Sequence, residues 1–264
     1  MDRELEKLAG VVRESGRIVR EAWDKARRIR HKGCIDLVTE TDVAVEGFLK
    51  ETLAPLIPGA SFMAEESAED MREPATDCWI IDPVDGTTNF VHRIPQVATS
   101  VALWRNGRPE MGVINLPMLD ECYCARRGCG AFLNGRPIRV SRAARMQDAL
   151  VATGFPYNVP DNLETVLGWL RQVLPAAQGV RRIGAAAVDL AYVACGRLDA
   201  FYELGLKPWD FAAGWLLVEE AGGMVSDTDG APLTFERPLL ASNGLVHADM
   251  VRLLRIGAAV CMDV

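Results

Sequence analysis

Leu5, Leu8, Val12, Val19 and Trp23 recur on one face at helical spacing, which predicts an amphipathic helix near the start of the chain. An extended segment at 36–39 follows. Thr41 and Asp42 are cap-type residues that predict a helix to about Leu53, ended by Pro55 and Pro58-Gly59. Residues 61–64 read as a strand stopping at Glu65-Glu66, and 78–81 as a short apolar strand. Alternating segments at 97–104, 111–115 and 121–125 predict antiparallel strands, separated by Asn106-Gly107 and Pro117, and Asn134-Gly135 marks another hairpin. The second half predicts a strand at 150–153, a helix at 163–173 and an Ala-rich helix at 184–195 ended by Gly196. A strand at 200–203 and a helix at 211–220 closed by Gly222-Gly223 come next, then a strand at 224–226 before an Asp229-Gly230 turn. Runs of strands mixed with helices on both sides predict a layered α+β fold rather than a simple βαβ repeat.

The 264 residues suffice for one large domain or two intimately packed halves. We read 1–264 as a single compact domain with approximate halves 1–145 and 146–264, without a low-complexity linker or an internal repeat. Apolar content of 49% and charged content of 25% are those of an ordinary globular protein. No apolar run approaches the roughly 18 residues of a membrane span. The charged start, Met1-Asp2-Arg3-Glu4, lacks a signal core, so the expected location is the cytoplasm. Seven cysteines without a C-x-x-C pair read as reduced thiols. Cys122, Cys124 and Cys129 are close in sequence, but Cys122 and Cys124 alternate along a predicted strand and no histidine lies nearby, which disfavours zinc. A net charge of −7 argues against a general nucleic-acid binder. The local exception is 25–32, where Lys25, Arg27, Arg28, Arg30 and Lys32 follow the first helix. Basic residues suit a helix C-terminus, and the same patch would attract an anionic substrate or RNA.

The chemistry concentrates in Asp82-Pro83-Val84-Asp85-Gly86-Thr87-Thr88-Asn89-Phe90. Asp82 and Pro83 predict a turn after the 78–81 strand, bringing the carboxylates of Asp82 and Asp85 to one side where they can share a cation. Gly86 permits close backbone approach, and Thr87, Thr88 and Asn89 are N-cap-type residues, so helical N–H groups would follow as a phosphate seat. Glu65-Glu66-Ser67 at a strand end and Asp210 in Pro208-Trp209-Asp210-Phe211 at a helix start add two further acidic clusters. Taken singly, adjacent glutamates are solvated and an Asp at a helix start is its cap. Together they form an all-oxygen donor set, which selects Mg²⁺ over Zn²⁺ or Cu²⁺. Glu65, Asp82, Asp85 and Asp210 carry −4 in all, the charge that two Mg²⁺ neutralise. Without metal, four close carboxylates repel and some of their pKa values rise.

These residues resemble the inositol monophosphatase family. Asp82 to Phe90 is similar to its first signature, and Trp209-Asp210-Phe211-Ala212-Ala213-Gly214, through Glu220-Ala221-Gly222-Gly223, to its second. Ala64-Glu65-Glu66-Ser67 resembles its G-E-E-S segment with Ala64 in place of glycine, and Asp36-Leu37-Val38-Thr39-Glu40-Thr41-Asp42 its D-L-V-T-x-x-D. Residues 151–156 and 189–194 resemble the bacterial branch, and the likeness runs from about Leu5 to Val251. It implies an αβαβα sandwich of the inositol monophosphatase/fructose bisphosphatase type, a homodimer, and Mg²⁺-dependent hydrolysis of small phosphomonoesters, with lithium sensitivity.

Carried over by position, the resemblance implies two to three Mg²⁺. Glu65, Asp82 and the carbonyl of Val84 would hold the first, and Asp82, Asp85 and Asp210 the second, with Glu65 facing a weaker third through water. Thr87 would orient the attacking water with Glu65 as proton acceptor, by direct attack without a phosphoenzyme. Gly86, Thr87 and Thr88 would bind phosphate, and Asp42 and Glu66 would orient ligands or Thr87. Glu203 matches the glutamate that accepts hydrogen bonds from inositol hydroxyls. Ala185 stands where the family often has Ser or Thr, leaving the Ala186 backbone to bind, and Asp189 nearby reads equally as a helix-surface residue. The expected substrate is inositol 1-phosphate. Fructose 1,6-bisphosphate, adenosine 3′,5′-bisphosphate and a regulatory or RNA-associated role on the same fold are the alternatives.

Overall fold

The computed structural model describes residues 2–25, 29–31, 37–69 and 71–259. The helix α1 (Arg3–Ala22) leads into the strands β1 (Ile29–His31) and β2 (Leu37–Thr39), which pair with each other. After α2 (Glu40–Leu53) come β3 (Ser61–Ala64), β4 (Cys78–Asp85) and the short α3 (Thr87–His92). The strands β5 (Ala98–Arg105), β6 (Arg108–Leu116), β7 (Glu121–Arg126), β8 (Gly130–Leu133) and β9 (Arg136–Pro137) follow in a meander. The second half runs β10 (Leu150–Thr153), α4 (Val159–Ala176), β11 (Gly179–Arg181), α5 (Ala186–Ala194), β12 (Ala200–Glu203) and α6 (Pro208–Glu220). It ends with β13 (Met224–Asp227), β14 (Leu239–Ser242) and α7 (His247–Ala259).

The larger sheet keeps sequence order from β3 to β9, parallel between β3 and β4 and antiparallel elsewhere. The smaller sheet is ordered β11-β10-β12-β14-β13, with β10 parallel to both its neighbours. Strand alternation sorts the side chains into layers. Trp79, Ile81, Val101, Leu103 and Val113 pack with Leu5, Leu8, Val12, Val45 and Leu49 of α1 and α2. The opposite face, with Ile80, Ala102, Trp104 and Ile114, packs on Leu190 of α5 and Phe211 and Leu217 of α6. Ala152, Phe201, Leu239 and Ala241 of the smaller sheet close that central layer from the other side. Val151, Tyr202 and Leu240 face Trp169 and Val173 of α4 and Met250 and Leu254 of α7. The order helix, sheet, helix, sheet, helix is the expected αβαβα sandwich. Each apolar side chain so buried contributes roughly 1.5–3 kcal/mol.

Several boundaries depart from expectation. The turn foreseen at Asp82 is a continuation of β4, with a register irregularity against β5 between Asp82 and Asp85. Pro83 sits at that irregularity, where it withholds no ladder donor, and its carbonyl accepts from the Thr99 hydroxyl at 2.9 Å. The cap of α2 is Thr39 rather than Thr41 and Asp42, because Asp42 at the third helical position takes the Thr39 N–H at 2.9 Å. Asp210 likewise lies inside the first turn of α6, whose cap is Lys207. The first helical N–H after the phosphate motif belongs to Thr87, and the cap of α3 is Gly86 at φ 86°. α4 begins at Val159, four residues before the expected 163, and β11, β14 and α7 were not foreseen. Half of the basic segment 25–32, residues 26–28 and 32, lies outside the described residues. Among the described residues no helix is long and apolar enough to cross a membrane.

At the start of α7, His247 is 5% exposed and joins two strands. Its Nε2 lies 2.9 Å from Ser226 Oγ on β13 and its Nδ1 2.8 Å from Ser242 Oγ on β14. Burial holds the imidazole below its ordinary value. The folded state therefore binds this proton more weakly than the unfolded chain, which titrates near about 6.5. The stabilisation is full above that value and is lost as pH falls below it. Between about pH 7.5 and about pH 5.5, thermal melts should show a steeper loss of Tm for the parent than for His247→Gln. Parallel losses would refute this role.

Candidate active site

Asp82, at the centre of the predicted acidic set, is 2% exposed. Glu65 follows β3, Asp85 ends β4, and Asp210 lies in the first turn of α6. Burial raises the Asp82 carboxyl well above the usual range, and the charges of Glu65, Asp85, Asp210 and Asp42 raise it further. One of its oxygens, Oδ1, is buried without a hydrogen-bond partner. Burial likewise lifts Asp85 to about 7, with Glu65 adding to the rise and the backbone N–H of Ala187 opposing it. The four predicted carboxylates are thus brought together, from three separate stretches of sequence.

The acids also organise the helices around them. α5 has no side-chain cap at Ala185, and Asp85 supplies one from β4: its Oδ2 accepts the Ala187 N–H at 2.7 Å. Asp210 Oδ2 accepts the Lys207 N–H at 2.7 Å. Asp42, fully buried, accepts from Thr39 through Oδ2, while its Oδ1 lies 3.2 Å from Thr87 Oγ1. Thr87 Oγ1 is also 3.1 Å from the Val84 carbonyl. The single Thr87 hydroxyl proton serves one of these two acceptors at a time. Asn89 Nδ2 donates to the carbonyls of Gln96 at 2.8 Å and Ile183 at 3.0 Å, tying α3 to the segment before α5. A Cβ on Gly86 would come 3.0 Å from the Gln96 carbonyl and 3.1 Å from Ala185 Cβ, so both its φ and its surroundings require glycine.

These ties leave a cleft of about 110 Å³ between the two sheets' ends. Asp85, Gly86, Thr87, Thr88, Ala186, Glu203 and Asp210 line it; Asp82 and Val84 are buried beneath. Every residue foreseen for substrate contact therefore borders one space. Burial lifts Glu203 to about 8, with Asp210 and Asp85 adding to the rise and Arg182 opposing it. Glu66 stands in the turn after β3, and its backbone N–H donates to Glu46 Oε2 at 2.9 Å.

Sequence reasoning passed over several residues. Glu46 is 5% exposed and accepts from the Ser67 hydroxyl as well as from Glu66, so it shapes the turn that carries Glu65. Its signal was the Asp42, Glu46 spacing, which puts both acids on the buried side of α2. Asp189, read equally as a helix-surface residue, is 1% exposed with Oδ1 unpartnered; burial raises its carboxyl, as do Glu203 and Asp85. Phe155, Tyr157 and Arg182 line the outer cleft, the Arg182 guanidinium 5.5 Å over the Phe155 ring.

The donor set is all oxygen, and the orphaned Asp82 Oδ1 is a buried acceptor with no proton donor, so the residues fit a hard divalent cation. Among the described residues no three carboxylates stand in a finished ligand cage. Asp85 and Asp210 each turn one oxygen to a backbone N–H at a helix start.

The sequence matches the inositol monophosphatase family over residues 1–257, and the chain belongs to that family. It is 40% identical over 252 residues to an inositol-1-monophosphatase of Synechocystis sp., covering 95% of this chain and 88% of the relative. It is 47% identical over 207 residues to the Nus factor SuhB of Pseudomonas aeruginosa, covering 77% and 76%. A Thermotoga maritima IMPase structure superimposes with a TM-score of 0.89 at 34% identity, covering 98% of this chain and 99% of that one.

Carboxyls with raised values bind protons more tightly folded than unfolded. Their favourable contribution is full below the unfolded value near about 4 and is lost as pH rises through the folded one, about 7 for Asp85. In chelator, Tm should fall as pH rises from about 5 to about 8. Asp82→Asn should flatten that fall and gain less Tm from added Mg²⁺ than the parent does. A parent Tm that rises over the same range would contradict the assignment.

Proposed function

We propose that the chain is a Mg²⁺-dependent phosphomonoesterase that hydrolyses inositol 1-phosphate to inositol and phosphate. The observation that carries the reading is the unpartnered, buried Asp82 oxygen among Glu65, Asp85 and Asp210, directly beneath a cleft bordered by Gly86, Thr87 and Thr88. Glu65, Asp82, the Val84 carbonyl, Asp85 and Asp210 would hold two to three Mg²⁺. Bound there, Mg²⁺ supplies charge neutralisation for the phosphate oxygens and lowers the pKa of water.

The remaining work belongs to the chain. Thr87 Oγ1, held near Asp42 Oδ1, orients a water toward phosphorus. Glu65 takes that water's proton as the new P–O bond forms, the P–O bond to the ester oxygen breaks on the opposite side with no phosphoenzyme, and that oxygen takes a proton from solvent to leave as the alcohol. A positioned carboxylate base contributes typically ~10²–10⁴-fold. Gly86, Thr87 and Thr88 seat the phosphate. The Ala186 backbone and the Glu203 carboxylate meet the polyol, and Asp42, Glu46 and Glu66 hold the ligand-bearing turns in place.

Some relatives carry the name Nus factor SuhB, and the basic segment 25–32 motivates a second, regulatory or RNA-associated role compatible with catalysis. Salt-sensitive RNA association in a titration would support it, and none would remove it. The working form is taken to be a cytoplasmic homodimer.

Phosphate release should be Mg²⁺-dependent and favour inositol 1-phosphate over fructose 1,6-bisphosphate and adenosine 3′,5′-bisphosphate. Asp85→Asn should lower it by roughly two orders of magnitude or more while the protein stays folded. Near-parental turnover in that variant would sink the site assignment. Separately, Glu203→Gln should weaken inositol 1-phosphate more than phenyl phosphate, and equal losses on the two esters would remove Glu203 from polyol recognition.

A further inference from the structure

We propose that Gly154 is a positioning residue for the substrate's alcohol, because the space left by its missing side chain is where the Glu203 carboxylate lies. The inference rests on the reading of Glu203 as the acceptor for polyol hydroxyls.

The topology explains the arrangement. β10 and β12 run parallel with Ala152 beside Phe201 and Thr153 beside Tyr202. One residue further, position 154 stands beside Glu203, and registered residues of neighbouring strands share a face roughly 4.8 Å apart. Ala152 and Phe201 both face the central layer, so a side chain at 154 would project toward the same side as Glu203. On its other flank Glu203 is paired with Leu239, fully buried and apolar, which leaves the carboxylate no polar space there. It leans over Gly154 instead. A Cβ on Gly154 would lie 2.0 Å from Glu203 Oε2, 2.2 Å from Cδ and 2.3 Å from Oε1. Gly154 and Glu203 both line the cleft.

Two features make this a matter of recognition rather than of folding alone. Gly154 is absent from the left-handed positions of the chain, so alanine meets no backbone penalty. The atoms that its Cβ would strike are the far end of one flexible side chain, not backbone. What must move is the Glu203 carboxylate, and with it the acceptor offered to the alcohol. Position 154, just past the end of β10, is thus kept without a side chain for the sake of a neighbour's functional group.

The test is a double-variant cycle on the full chain with Mg²⁺: parent, Gly154→Ala, Glu203→Ala and the double variant, each assayed on myo-inositol 1-phosphate and phenyl phosphate. Gly154→Ala should lower the inositol 1-phosphate to phenyl phosphate ratio of kcat/KM by roughly ten- to hundredfold, carried by KM. In the Glu203→Ala background, where the struck atoms are gone, it should change that ratio no further. An unchanged ratio in Gly154→Ala, or an equal further loss in the double variant, overturns the proposal while leaving Glu203's own role standing. Glu203→Ala with a parental ratio overturns the Glu203 reading and this inference with it. If Gly154→Ala alone lowers Tm sharply, the double variant should recover it, and a failure to recover places the clash elsewhere and overturns the proposal.

Discussion

The burial of Asp82 among four other acids is the constraint on which the rest of the structure depends. An isolated ionised carboxylate moved out of water costs several kcal/mol even after relaxation. Here Glu65, Asp85, Asp210 and Asp42 add repulsion to that cost, and Oδ1 has no donor to offset it. Such a group is tolerated only protonated or facing a cation. The surrounding fold must also be stable enough to impose it. Two sheets, each covered by helices on both faces, provide that frame, and Trp79, Ile81 and Val84 next to Asp82 are all essentially inaccessible.

The same acids double as helix caps, which links the candidate chemistry to the fold. Asp42 takes the Thr39 N–H at the head of α2, Asp210 the Lys207 N–H at the head of α6, and Asp85 reaches from the larger sheet to the first turn of α5. Each committed oxygen fixes the side chain's rotation and so constrains where its other oxygen points. The Asp85 to Ala187 bond also joins elements from the two halves of the sequence, as the Asn89 amide does with the Ile183 carbonyl. Carboxylates that satisfy orphan N–H groups are favourable at helix starts in any case. The arrangement therefore draws part of its stability from ordinary capping, against the repulsion at its centre.

Much of this was legible in the chain, for identifiable reasons. β3, β10 and β12 fell at the expected residues because short β-prone runs bounded by turn residues admit one reading. Asn106-Gly107 and Asn134-Gly135 adopt the positive φ that their hairpins require. The fusion of Asp82 and Asp85 into β4 was not legible, because Asp-Pro is a turn signal whenever local propensity decides, and here pairing with β5 overrides it. Glu46 and Asp189 escaped because burial of an acid is a tertiary fact: each sits in a helix whose exposed and covered sides sequence alone ranks by hydrophobicity. Gly154 escaped for the opposite reason. A glycine at a strand end reads as a turn, and only the neighbouring strand reveals what fills its place.

The cleft itself combines two chemistries that sequence motifs do not connect. Its floor, set by Gly86, Thr87 and the acids beneath, suits a phosphate with its counter-charge. Its outer wall comes from other segments: Phe155 and Tyr157 after β10, Arg182 before α5, and Leu204 and Leu206 after β12. The floor is built from capped helices and a paired strand, so its geometry is tied to the fold's stability. The outer wall is built from connecting segments, with Tyr157 65% exposed and Arg182 resting on the Phe155 ring. Changes there cost the core little, so on the proposed reading the alcohol side of the site is the part free to vary while the reacting end stays fixed. Glu203 lies between the two regimes: its strand is locked into the smaller sheet, yet its carboxylate depends on a neighbour having no side chain. On the proposed reading, recognition of the alcohol would be anchored at that one point and adjustable around it.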